Sequence, residues 1–100
     1  MTYNKLVRDK IPEIVKQKGG TAVIHIAGRK EYWEKLREKL REEVEEFNKE
    51  PSLEELADIL EVLDAIIQFK KLSRASLKKV KNDKKHERGG FKKRIILEES

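Results

Sequence analysis

One hundred residues, of which 43% are Asp, Glu, Lys or Arg and 37% hydrophobic, allow one domain with a small core of its own, so subunits that share a core are expected. The chain has no cysteine, which excludes a disulfide framework and a thiolate metal centre and leaves oxygen atoms as the main candidate ligands. Its net charge of +5 is unevenly spread: residues 70–94 hold 12 of the 24 basic residues against two acids, Asp83 and Glu87.

From the N-terminus, Lys5, Arg8 and Lys10 form a basic opening suited to contacting phosphate. No uninterrupted apolar run of the signal-peptide kind is present there, and the expected location is cytoplasmic. Pro12 fits the first turn of a short helix that Gly19 and Gly20 end. Thr21 to Ala27 is β-branched and apolar, which predicts a short strand or extended segment, with His25 in a structural role.

A long helix is predicted from about Lys30 to Asn48, with Trp33, Leu36, Leu40, Val44 and Phe47 on its apolar stripe. Along it Glu31, Glu34, Glu38 and Glu45 alternate with Lys35, Arg37, Lys39 and Arg41, the pattern of a solvated face of helical ion pairs. A tight turn at Lys49 to Pro51 leads into a second helix reaching about Lys71, so the two must run antiparallel as an αα-hairpin. The stretch from Leu53 to Leu72 is apolar on nearly every face and must be covered all round. Glu54, Glu55, Asp58, Glu61 and Asp64 interrupt it, which excludes a membrane span.

Two carboxylate pairs, Glu43 with Glu46 and Glu55 with Asp58, sit near this hairpin's turn. A three-residue step rotates a helix by about 300°, leaving each pair within about 60° of one direction. Glu55 and Asp58 share that direction with Ile59, Val62, Ile66 and Phe69, where a carboxylate loses hydration unless it protonates or finds a cation. Several such groups together point to Mg²⁺ or a similar hard ion, with Mn²⁺ as a substitute. Glu55 has a competing role, because Ser52 followed three residues later by Glu55 reads as a helix capping box.

Ser73 is placed to cap a further helix that carries Leu77 and Val80, frays toward Arg88 and stops at Gly89-Gly90. Arg88 and Lys92, beside backbone N–H groups exposed at the glycine turn, are candidate phosphate contacts; the lysines around them read as a solvated face. Phe91 to Glu98 is a second extended segment, placed to pair with the first.

The segments YNKLVRDKIPEI, KLREEVEEF, EELADILEVLDAI and ERGGFKKRIILE, in that order, resemble the all-α nucleoside triphosphate pyrophosphohydrolase superfamily. The likeness is strongest to its small MazG-like members, which are similar to phosphoribosyl-ATP pyrophosphohydrolase, and it covers nearly the whole chain. The superfamily's Glu-Glu-x-x-Glu followed by Glu-x-x-Asp on the next helix becomes Glu42, Glu43 and Glu46, then Glu55 and Asp58. The resemblance implies a mainly all-α domain whose four-helix-type core is completed by oligomerisation, as a homodimer or homotetramer. It also implies Mg²⁺-dependent cleavage between the α- and β-phosphates of a nucleotide polyphosphate, with release of pyrophosphate. On that reading Glu43, Glu46, Glu55 and Asp58 hold the metal, Glu61 extends the acidic strip, Glu42 orients or deprotonates the attacking water, and Asp64 is structural. Only eight residues separate Glu46 from Glu55, so the loop that contributes to the base pocket in many superfamily members is short here. Trp33 or Tyr32 could stack on a base, but Trp33 fits the apolar stripe.

Readings from other classes are a basic nucleic-acid-binding module, which leaves the acids on the apolar face unexplained, and a catalytically silent dimeric scaffold. A di-iron carboxylate protein would add Glu-x-x-His motifs on its helices, a context that neither His25 nor His86 provides.

Overall fold

A computed structural model describes residues 4–100; Tyr3 of the opening motif lies outside them. It is mainly all-α: α1 (Ile11–Gln17), α2 (Arg29–Lys49), α3 (Leu53–Phe69) and α4 (Arg74–Arg88), with no strand among the described residues. The two extended segments expected around Ile24 and Ile96 carry no sheet pairing, and Val23, Ile26, Phe91 and Ile96 lie exposed. The core is the antiparallel pair α2 and α3, joined by the short connection through Glu50, Pro51 and Ser52. Leu36 of α2 and Val62 of α3 are its buried apolar centre.

The helix ends follow local chemistry. Pro12 occupies the first turn of α1, where a missing N–H costs nothing. Gly19, at φ 84°, closes that helix with the N–H of Gly20 donating to the carbonyl of Val15 at 2.9 Å. Ser52 caps α3 by accepting from the Glu55 N–H at 3.2 Å, and Ser73 caps α4 by accepting from the Ser76 N–H at 3.1 Å. At the end of α3 the same motif recurs with Lys71 as the left-handed residue, φ 54°, and Leu72 N–H donating to Ile67 at 3.0 Å. The fourth helix runs unbroken to Arg88 rather than fraying before it.

At the open end of the hairpin Phe69 meets the edge of Tyr32, centroids 5.1 Å apart, and stacks on Trp33 at 6.0 Å. Lys70 Nζ lies 4.0 Å from the Trp33 ring centre, and the Arg37 guanidinium 5.2 Å from it. Tyr32 and Trp33 of α2 are therefore engaged with the end of α3.

Complete cover of α3 is not provided within one chain. Leu53, Leu56, Leu60 and Leu63 form an exposed stripe, while Val62, Ile66 and Phe69 face inward. The described residues have a radius of gyration of 17.9 Å and extents of 56 × 31 × 23 Å, whereas a compact domain of this length has a radius of about 13 Å.

Candidate metal centre

Antiparallel packing sets the last turns of α2 beside the first turns of α3, and this brings acids of the two helices together. Carboxylate oxygens of Glu43, Glu55 and Asp58 lie within 4.8 Å of one another. Twice a metal–oxygen distance of about 2.1–2.6 Å gives nearly the same span, so the donor set matches a hard divalent ion in size and chemistry. Glu43 is buried, and Glu55 and Asp58 are half-buried.

Glu46 is outside this group. It is exposed at the end of α2, one step around the helix from Glu43, although its charge still reaches Glu55. Glu61, one turn beyond Asp58, is exposed as well and borders the adjoining cavity without joining the triad. The expected five-carboxylate set is thus three converging groups with two acids at the margin.

Asp58 is not stranded in an apolar environment, because Arg8 Nη2 donates to its Oδ1 at 2.7 Å. Lys39 lies 3.3 Å from Glu43 and 3.6 Å from Glu42, and Lys5 donates to Glu42 at 3.1 Å. Burial pushes the Glu42 carboxyl up, but Lys5 and Lys39 together outweigh it and hold the group below the usual glutamate range. Glu55 shows the opposite balance. Partial burial and then the charges of Asp58, Glu43, Glu46 and Glu50 raise its pKa, and no ion pair reaches it among the described residues. Nor does its side chain complete the capping box: the Ser52 hydroxyl takes the Glu55 N–H, while the Glu55 carboxylate turns to the acidic group.

Lys39 was legible only as part of a solvated face. Its side chain is 17% exposed and sits against the centre. The i to i+4 spacing to Glu43 was the available signal, but the same spacing occurs at exposed pairs along the helix and does not single it out.

A cavity of about 530 Å³ opens beside the triad. Leu6, Val7, Ile11 and Ile14 line one wall, Leu36, Val62 and Ala65 the other, and Glu43, Asp58, Arg8, Lys10 and Lys39 also border it. Of the basic residues read as phosphate contacts, the N-terminal ones therefore reach the centre: Lys5 through Glu42, Arg8 through Asp58, and Lys10 at the cavity wall. Arg88 and Lys92 do not line the cavity, which α4 borders through its first residue, Arg74. Asp64 pairs with Arg74 at 3.0 Å, linking α3 to the start of α4, and also borders the cavity. His25 likewise pairs with Glu31, at 2.9 Å.

The chain is 50% identical over 43 residues to an uncharacterized protein of Mycolicibacterium smegmatis (strain ATCC 700084 / mc(2)155). That stretch covers 43% of this chain and 44% of the relative, so the match spans less than half of either. No family model matches the chain, and no solved structure does.

Proposed function

We propose that the protein is a Mg²⁺-dependent nucleotide pyrophosphohydrolase, cleaving between the α- and β-phosphates of a nucleoside triphosphate or a phosphoribosyl-ATP-like substrate. The observation that carries this reading is the convergence of Glu43, Glu55 and Asp58 from two helices to within 4.8 Å, beside a cavity bordered by basic side chains. When bound, Mg²⁺ or Mn²⁺ supplies charge neutralisation at the phosphates and lowers the pKa of water. Glu43, Glu55 and Asp58 hold the ion, with Glu46 and Glu61 at the edge of its field. Lys5, Arg8 and Lys10 bring positive charge to the polyphosphate. Glu42, kept anionic by Lys5 and Lys39, is a weaker base than a free glutamate, which favours orienting the attacking water over deprotonating it.

The active form in this reading is a cytoplasmic homodimer or homotetramer. No helix among the described residues is long and apolar enough to cross a membrane. The exposed leucines of α3 and the large radius of gyration both favour a second copy that completes the core.

Pyrophosphate release, screened across canonical and modified triphosphates and phosphoribosyl-ATP with Mg²⁺ present, tests the activity and the substrate together. Glu43→Gln and Asp58→Asn are expected to lower turnover by about 100-fold or more with helicity unchanged. An unchanged rate in both variants ends the reading.

The exposed basic helix α4 favours a second reading, binding of nucleic acid. That activity would weaken steeply with added salt and be indifferent to both carboxylate substitutions.

A further inference from the structure

The N-terminal arm, residues 4–10, crosses to the hairpin and sets a cation on the acidic centre. Arg8 and Asp58 are 50 residues apart in sequence, and their contact at 2.7 Å falls on one of the three converging carboxylates. Of the other two, Glu43 has Lys39 at 3.3 Å and Glu55 has no ion-pair partner among the described residues. Two monovalent side chains thus face three acids, and the charge that remains is concentrated between α2 and α3.

We propose that Arg8 is the built-in counter-cation of this centre, and that entry of a divalent ion displaces it onto a phosphate of the substrate. The inference rests on the metal-dependent reading above. Three features support it. The Arg8–Asp58 pair is open to water, with side chains 56% and 38% exposed, and an ion pair of that exposure is weak. A divalent ion among the triad would repel a guanidinium held on the same carboxylate. The arm has no regular secondary structure at Arg8 and borders the cavity, so a change in side-chain direction carries the guanidinium toward a polyphosphate there without unfolding a helix. A guanidinium's planar fork matches phosphate oxygens two at a time, which gives the released side chain a stronger partner than one carboxylate oxygen.

The test follows the side-chain Nε–H signal of Arg8 by NMR, identified by its loss in Arg8→Gln, during addition of Mg²⁺ and then of pyrophosphate. Mg²⁺ is expected to speed exchange of that hydrogen with water, and pyrophosphate to slow it again. By calorimetry, Arg8→Gln is expected to bind Mg²⁺ about two- to fivefold more tightly than the parent protein, the size of a weak ion pair that no longer has to break. With Mg²⁺ present, the same variant is expected to bind pyrophosphate about tenfold more weakly. Exchange at Arg8 that saturating Mg²⁺ leaves unchanged, with calorimetric Mg²⁺ binding intact, overturns the displacement and spares the metal centre. Equal or weaker Mg²⁺ affinity in the variant also overturns it. Failure of the parent protein to bind Mg²⁺ or Mn²⁺ overturns both readings.

Discussion

Two glutamates on neighbouring helices have pKa values displaced in opposite directions, and their neighbours account for it. Glu42 lies between Lys5 and Lys39, which hold its carboxyl down, whereas Glu55 faces Asp58, Glu43, Glu46 and Glu50, which together with partial burial push it up. The stability contributions therefore have opposite signs. With a lowered folded pKa, the Glu42 contribution is present above the ordinary glutamate range and is lost as pH falls through the folded value. With a raised folded pKa, the Glu55 contribution is present at low pH and is lost as pH rises through the folded value. In metal-free protein, Glu55→Gln should consequently raise the melting temperature near neutral pH and have little effect in acid, and Glu42→Gln should lower it near neutral pH. Thermal melts across the acid-to-neutral range, followed by circular dichroism, measure both. Added Mg²⁺ should stabilise the parent protein more than Glu55→Gln; equal stabilisation would remove Glu55 from the ligand set. The wheel positions of Glu43, Glu55 and Asp58 made the triad legible in the sequence. The pairing of Arg8 with Asp58 was not, because nothing local specifies a contact across 50 residues.

At the scale of elements, the sequence announces its helix ends through residues whose backbone or side chain satisfies a terminal group. Gly19-Gly20, Pro12, Ser52 and Ser73 were all readable in this way, and each has the expected role. The end of α3 was less legible because its left-handed residue is Lys71, at φ 54°, where a side chain costs energy that glycine avoids. Lys71→Gly should stabilise the protein by about 1 kcal/mol in urea denaturation, since it relieves that conformation and keeps the Leu72-to-Ile67 hydrogen bond. A loss of stability would mean that the Lys71 side chain has a packing role outweighing its backbone cost. Ser52→Ala should cost about 1 kcal/mol by removing the acceptor for the Glu55 N–H, and should also loosen the turn of α3 that holds Glu55 near Glu43 and Asp58. Weaker Mg²⁺ binding accompanying that loss would tie the cap to the centre. Of the two extended segments, Thr21 to Ala27 rests on β-branched, apolar composition and Phe91 to Glu98 on its place after the Gly89-Gly90 stop. That composition specifies an apolar, extended stretch but not a partner strand, and none pairs with them in the single chain.

For the whole molecule, the sequence-level demand that α3 be covered all round meets a chain that covers only part of it. The residues at 53, 56, 60 and 63 recur at three- and four-residue steps, which places four leucines on one stripe, and all four are exposed. Val62 and the two acids that α3 contributes to the triad, Glu55 and Asp58, lie instead on the side facing α2 and the N-terminal arm. The stripe is therefore separate from the face that carries the proposed metal centre, so a substitution there can test assembly without touching Glu43, Glu55 or Asp58. Leu60, 56% exposed in one chain, is the central choice, because a charge at a surface that is solvated costs little while a charge buried between two copies costs several kcal/mol. Leu60→Glu should convert a homo-oligomer to monomer in sedimentation equilibrium and lower the melting temperature. Leu60→Lys should do the same, which separates burial from a specific charge clash. If both variants keep the parent's mass, then the leucine stripe lies outside the interface. The extended segments around Ile24 and Ile96, where Val23, Ile26, Phe91 and Ile96 are the most exposed apolar side chains, would then be the next to substitute.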